Sequence, residues 1–190
     1  MHVSSTEYGD EIKLEPGARQ ATEFQFTYYS NYNLNNGATV RFYKNNGSPV
    51  LGAAAPGDLL YESAAFNIVK SDATDPNNVL AQTATINLAG KGLVLPDVLT
   101  WTVEFDGVGS GQDASLLVFD PPTAGSSFND FWKKDGTTWT INQFPGGPRA
   151  NFNAKLSASR STSVPDAGSS VALMGLGLTA VVMLRRVVRR

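Results

Sequence analysis

Residues 21–30, ATEFQFTYYS, decide the fold class of this 190-residue chain. The aromatic residues Phe24, Phe26 and Tyr28 alternate with polar residues throughout this stretch. Successive side chains of a β-strand point to opposite faces, so strict alternation predicts a half-buried strand. The stretch therefore predicts a sheet that has one face in a core and one face in water.

Residues 38–50, ATVRFYKNNGSPV, repeat the pattern, with Val40 and Phe42 opposed to polar neighbours. Two Asn-Asn-Gly stretches, 35–37 and 45–47, bracket the segment. Asn-Gly pairs accept the positive φ angles of tight hairpins, so both stretches predict turns.

Three later segments extend the β pattern. Residues 79–90 and 99–107 alternate between apolar and polar side chains, and both predict half-buried strands. Residues 115–120, SLLVFD, are apolar on both faces and predict a central strand covered on both sides. The predicted core residues are Phe24, Phe26, Phe42, Leu88, Trp101, Val103, Phe105, Leu117 and Phe119.

The number of such segments fixes the expected architecture. About eight to ten short strands, separated by Gly, Pro, Asn and Asp turns and without a soluble helix, predict an antiparallel β-sandwich of the jelly-roll kind. We expect this domain to cover residues 1–160, because the composition after residue 160 becomes small and polar.

The composition excludes several classes of function. The chain has no cysteine, which excludes thiol catalysis, disulfides and thiolate metal sites, and its one histidine is His2. Seventeen acids precede Arg185 against eleven bases, so no basic surface suggests nucleic acid. Ser110 lies in GVGSGQ, which is not a nucleophile elbow, and no internal histidine could activate it. We expect no enzyme and no cofactor.

Acidic residues leave two alternatives open. A pair of carboxylates among Glu23, Glu62 and Glu104 would suit a glycosidase, although acids on the polar face of a strand are ordinary. Oxygen ligands in two loop clusters would suit calcium, although neither has regular Ca-loop spacing and solvated turns are the simpler interpretation. These cluster residues are Asp72, Asp75, Asn77 and Asn78, and Asp106, Asp113 and Asp120. We expect no metal site.

Exposed aromatic rings would suit a carbohydrate-binding, lectin-like module. The candidates are Trp101, Trp132, Trp139, Tyr28, Tyr29, Tyr32 and Tyr43. Alternation places Trp101 in the core, and Trp132, beside two lysines, is the candidate for exposure.

The C-terminal segment has three parts. Residues 161–168 form a linker that contains Val164-Pro165-Asp166-Ala167-Gly168, and residues 169–184 are uncharged and predict one short transmembrane helix. Residues 185–190 form a basic tail, with Arg185, Arg186, Arg189 and Arg190. The positive-inside rule places this tail in the cytoplasm and the β domain outside.

This order of motif, apolar helix and Arg-rich end resembles the PEP-CTERM sorting signal of exported bacterial proteins. The five residues 164–168 are similar to its Val-Pro-Asp-Ser-Gly variant, with Ala167 at the serine position. The segments GDEIKL, LTWTVEFDGVG and WTINQFPGGPRANFNAKLSA also resemble blocks of uncharacterised PEP-CTERM proteins. The resemblance implies an exosortase-type membrane protease or transpeptidase as a partner.

These observations predict a non-catalytic, exported protein of the cell envelope or extracellular matrix, with the membrane and exopolysaccharide as further candidate partners. The lectin-like module is the alternative and a glycosidase is the third hypothesis. Residues 1–17 lack the basic and apolar regions of a secretory signal peptide. Either the tail alone directs insertion or the start is truncated, and we expect a truncated start.

Overall fold

The computed structural model describes residues 6–71, 81–119, 121–144 and 150–160. This part of the chain contains strands and no helix, so the all-β prediction is confirmed for it. The strands are β1 (Thr6–Lys13), β2 (Gln20–Ser30), β3 (Leu34–Lys44), β4 (Leu59–Glu62), β5 (Phe66–Ile68), β6 (Gln82–Asn87), β7 (Val98–Phe105), β8 (Ala114–Leu116), β9 (Ser126–Ser127), β10 (Phe131–Asp135), β11 (Thr138–Asn142) and β12 (Ala154–Ser159).

The strands form two antiparallel sheets. The larger sheet has the order β11-β10-β1-β7-β3-β4, with β9 also paired to β1 and β5 to β3. The smaller sheet has the order β12-β2-β6, with β8 also paired to β2. The two sheets face one another as in a sandwich, and the jelly-roll connectivity stays a prediction.

The core lies between the sheets and is dominated by aromatic rings. Phe24 of β2 lies 5.0 Å from the ring of Phe42 and 5.1 Å from that of Trp101, both in the larger sheet. Edge-to-face contacts of this kind stabilise a core beyond the burial of area alone. Seven of the nine predicted core residues are buried: Phe24, Phe26, Phe42, Leu88, Trp101, Val103 and Phe105.

The prediction for residues 115–120 is wrong. The strand β8 ends at Leu116, Leu117 is only partly buried, and Phe119 is 51% exposed. The chain after β8 pairs with the segment before β12, through a bridge between Val118 and Phe152, and does not enter a sheet centre. The apolar run therefore lies at the margin of a sheet. A run of six apolar residues does not by itself show whether a strand is central or how far it extends.

The strand covered on both faces is β7, which lies between β1 and β3. Its alternation predicted a wet face, yet Thr100 and Thr102 are fully buried together with Trp101 and Val103. Hydroxyl groups can be buried when they find hydrogen-bond partners, as Thr102 does with Glu7.

The first Asn-Asn-Gly prediction also needs correction. Residues 35–37 lie inside β3, where the register with β5 shifts between Leu34 and Ala38. Asn36 has the expected positive φ of 51°, but it serves an irregularity of the strand and not a hairpin. The second stretch, residues 45–47, does lie in the connection between β3 and β4.

The alternation analysis missed β1. Gly9 of this strand lies so close to β7 that a Cβ would overlap the carbonyl oxygen of Trp101. Glycine is therefore required there to let the two backbones approach. The residues around it, Glu7, Asp10 and Glu11, place carboxylates on both faces of the strand.

Candidate functional site

The predicted sorting residues lie outside the described part of the chain. These are Val164, Pro165, Asp166, Ala167 and Gly168 of the motif and Arg185, Arg186, Arg189 and Arg190 of the tail. Within the described ranges, no helix is long and apolar enough to cross a membrane.

The structure brings two of the three glutamates proposed as catalytic candidates to one arginine and places the third in the other sheet. Glu62 and Glu104 both bind Arg41, whose Nη1 lies 2.6 Å from Oε2 of Glu104. Glu23 lies on the smaller sheet, in β2. Two of the three acids are therefore engaged with one cation, and the third belongs to the other layer.

A buried carboxylate that the alternation analysis missed, Glu7, lies at the centre of this polar network. It is 4% exposed, and its Oε1 lies 2.8 Å from Nζ of Lys134 and 3.2 Å from Nη1 of Arg41. The hydroxyls of Tyr43 and Thr102 donate to its Oε2 at 3.0 and 2.8 Å. The network links β1, β3, β7 and β10 across the outer face of the larger sheet.

Two aromatic rings contact Lys134, one of the two cations of this network. The Nζ of Lys134 lies 5.2 Å from the ring centre of Trp139 and 5.4 Å from that of Tyr43, within the range of cation–π attraction. Burial, with the nearby Glu7 carboxylate, raises the pKa of Tyr43 well above its usual range. The phenol therefore stays protonated and acts as a hydrogen-bond donor. These contacts describe a structural cluster on the outer face of the sheet.

The prediction that Trp132 is exposed is wrong. Trp132 is fully buried, and its ring lies 6.2 Å from that of Trp139 in an edge-on arrangement. Its indole Nε1 lies 3.5 Å from Oε2 of Glu11. Tyr28, Tyr32 and Tyr43 are also buried, so most of the rings proposed as sugar platforms are packed inside the fold.

The loop acids do not form a cation site in the described residues. Asp72, Asp75, Asn77, Asn78 and Asp120 lie outside those residues. Asp106 and Asp113 lie inside them, and no group of three acidic or histidine side chains there could hold a metal ion.

The second missed carboxylate, Asp10, faces the space between the sheets. It is 1% exposed, and Oγ of Ser127 lies 2.8 Å from each of its oxygens. The backbone N–H of Phe152 donates to its Oδ2 at 3.2 Å. No lysine or arginine forms an ion pair with Asp10 in the part of the chain that the structure describes.

Burial raises the pKa of Asp10 to about 8, and the charges of Asp130 and Glu11 act in the same direction. The side chain is therefore a neutral carboxylic acid at pH 7. The Ser127 hydroxyl donates to this carboxyl group, and its oxygen also lies 3.3 Å from the carbonyl oxygen of Phe128. The acid joins β1 to β9 and to the segment before β12 through neutral hydrogen bonds.

A cleft with a volume of about 700 Å³ opens beside Asp10. Its walls come from β1 and the loop after it, from residues 122–127, and from β12. Leu14 and Leu156 contribute apolar surface above the buried side chains of Phe24 and Leu95, and Lys13 and Lys155 are exposed at its rim. The volume of the cleft and its lining of apolar and polar side chains are typical of ligand-binding clefts.

No signal in the sequence could have brought this site together. Its central contacts join residues 10, 127 and 152, which are far apart in the chain. The local hint was a carboxylate at a core-facing position of a short strand, because a buried acid without a cation is costly unless it stays protonated.

Comparison with known families identifies the end of the chain. Residues 163–187 carry a C-terminal sorting signal of the PEP-CTERM type, as the resemblance implied. The family model that matches is that of the VPDSG-CTERM motif. No curated protein and no solved structure matches the chain.

Proposed function

We propose that this is a non-catalytic, exported protein of the cell envelope or extracellular matrix, delivered through its C-terminal sorting signal. The observation that carries the proposal is the match of residues 163–187 to the VPDSG-CTERM motif. The β domain is the cargo, and the signal is the part that the export machinery reads.

In this proposal the tail is both a transient anchor and an address for processing. Residues 169–184 span the membrane as a helix, and the four arginines stay on the cytoplasmic side because moving them through a bilayer is costly. Pro165 and Asp166 then lie at the outer interface. Proline disfavours a helix in the residue before it, which leaves this stretch open to a membrane-bound exosortase.

The non-catalytic part of the proposal is supported by the engagement of the acidic residues. Glu62 and Glu104 neutralise Arg41, and Glu7 binds two cations. The acid with a raised pKa, Asp10, is only 1% exposed and is held by Ser127 and a backbone amide. These groups perform structural work and do not present a pair of free carboxylates to a substrate.

The test replaces Pro165 and Asp166 by alanine in a host that carries the matching exosortase. We expect the variant to insert in the membrane and to keep its C-terminus, while the wild-type protein loses it. Mass spectrometry of the C-terminal peptide reads the result. The matched control is Ser161→Ala with Thr162→Ala, just before the motif, which should be processed normally.

Two results would contradict the proposal. Wild-type protein that still ends at Arg190 while it sits in the membrane would make the segment a permanent anchor. Processing of the Pro165→Ala and Asp166→Ala variant at the wild-type rate would show that the motif is not read.

A further inference from the structure

The outer edge of β12 is an open strand edge. β12 pairs with β2 on one side, and no described strand pairs with its other side. The carbonyl of Asn153 accepts a hydrogen bond from the N–H of Thr27 in β2. Backbone groups alternate between the two sides of a strand, so those of Ala154 and Leu156 point away from β2.

The backbone groups that point away from β2 form a row that begins beside Asp10. The N–H of Phe152, two residues before Ala154, points to the same side and donates to the carboxyl group of Asp10. Ala154 and Leu156 line the cleft beside Asp10, and no other described group accepts their N–H protons. Asp10 thus accepts the first N–H of the row, that of Phe152, and the next two, those of Ala154 and Leu156, face the cleft.

The spacing of these groups selects the kind of ligand. Every second residue of a strand presents a backbone donor and acceptor on the same side, so these groups repeat about every 6.6 to 6.8 Å. An extended polypeptide carries the complementary repeat, whereas the hydroxyl groups of a sugar chain do not. Addition of a peptide strand to an exposed edge is an established mode of recognition.

We propose that the outward edge of β12 binds an extended segment of another protein as an added β-strand in the cleft beside Asp10. This inference concerns the β domain and does not depend on how the tail is processed.

The cleft also defines the side chains of the bound segment. Leu14 and Leu156, which are partly exposed, provide an apolar surface for every second residue of the added strand. Lys13 and Lys155 are exposed at the rim and form no ion pair with a described residue. The bound segment therefore alternates apolar and polar residues and carries carboxylates near its ends.

The experiment uses the full chain in detergent micelles and a blocked heptapeptide, Glu-Val-Thr-Val-Thr-Val-Glu. Hydrogen exchange measured by NMR reports on single amides. We expect saturating peptide to slow exchange at Ala154 and Leu156 by about tenfold or more. The amide of Lys155, which faces β2, is the internal control and should change little.

Two N-methylated peptides test the register. Methyl groups on the valine nitrogens remove one alternate set of backbone donors, and methyl groups on the threonine nitrogens remove the other. Only one set can face β12, so one peptide should lose binding and the other should keep it. Equal binding of both peptides would overturn the proposal.

Charge reversal at the rim provides a second measurement with little risk to folding. Lys155→Glu should weaken binding about threefold, in line with an exposed ion pair. Lys91→Glu, an exposed lysine that does not line the cleft, is the matched control and should bind as the wild type does.

Other outcomes would also reject the proposal. These are failure of the heptapeptide to bind, or binding that leaves exchange at Ala154 and Leu156 unchanged. Protection of the two amides by an oligosaccharide and not by the peptide would assign the cleft to glycans. Their protection without peptide, together with dimers in sedimentation, would assign it to a second copy of the chain.

Discussion

Two carboxylates on β1, Glu7 and Asp10, are buried on opposite faces of the same strand in opposite ways. Glu7 is surrounded by Arg41, Lys134 and two hydroxyl groups, so its charge is matched within the sheet. Asp10 contacts Ser127 and a backbone amide and has a pKa of about 8, so it keeps its proton. The comparison shows that a fold can bury an acid either by supplying cations or by leaving it neutral.

The difference separates a structural role from an available site. The Glu7 network holds strands together and uses the hydrogen-bonding capacity of its members. Asp10 lies beside a cleft, at the start of an open strand edge. On the outer face of the larger sheet the charged groups are thus paired with one another. On the inner face a cleft lies beside Asp10.

The largest expected effect comes from removing the charge of Glu7. Glu7→Gln removes the carboxylate partner of Lys134 and one of the three carboxylates around Arg41, and breaking a buried ion pair costs about 4 kcal/mol of unfolding free energy. Urea unfolding followed by tryptophan fluorescence measures the change. Asp10→Asn is the matched control and should leave the unfolding free energy at pH 7 unchanged or raise it, because the wild-type acid must take up a proton on folding at that pH and asparagine need not. Equal losses in both variants would erase the comparison.

The second effect is a dependence of stability on pH that belongs to Asp10. Its pKa is about 8 in the folded protein and near 3.8 in the unfolded chain, so the folded state binds more protons between these values. The stabilising contribution is complete below pH 4 or so and is lost as pH rises through about 8. Between pH 5 and 8 we expect a loss of about 3 kcal/mol in unfolding free energy.

The Asp10→Asn variant should lack this slope, since asparagine does not titrate. Unfolding free energies at several pH values, compared between the two proteins, give the answer. Parallel profiles would show that Asp10 does not carry a raised pKa.

A smaller effect tests the neutral hydrogen-bond chain. Ser127→Ala removes the hydroxyl that donates to Asp10, and a buried acceptor that loses its partner costs about 1 to 2 kcal/mol. Ser126→Ala, at the exposed neighbour on β9, should change the unfolding free energy by less than about 0.5 kcal/mol. If thermal or urea unfolding gives both variants the same unfolding free energy, Ser127 does not stabilise the protein through Asp10.

The smallest effect concerns the solvent-facing end of the Glu7 network. The Glu62 side chain is about half exposed, and its pair with Arg41 is screened by water. Glu62→Gln should therefore cost no more than about 0.5 kcal/mol in the same urea assay. Glu104→Gln, at the better buried partner of the same arginine, should cost more. The reverse order would contradict burial as the quantity that sets these energies.

Alternation predicted which side chains of β2 and β7 face the core. Phe24 and Phe26 in β2 and Trp101 and Val103 in β7 lie in the core as expected. It failed for β1, because Asp10 occupies a core-facing position where the pattern requires an apolar side chain. It failed for Trp132 because neighbouring lysines suggested solvent, whereas Lys134 packs against the rings of Trp139 and Tyr43.

The two candidate functional regions differ in the same respect. The sorting signal was predictable because it is a linear motif, read as consecutive residues of one segment. The cleft was not predictable because Asp10, Ser127 and Phe152 meet only after both sheets have formed. Sequence order contains the first kind of information directly and the second only through the fold.

The sheet topology has a consequence for when the domain can fold. β1 pairs with β7, β9 and β10, and β2 pairs with β12, so the first two strands depend on partners near the end of the domain. Such pairings close long loops and make folding slow. A nascent chain presents β1 and β2 long before those partners exist, so the larger sheet cannot be completed until residue 142 has left the ribosome, and the smaller sheet not until residue 159 has done so.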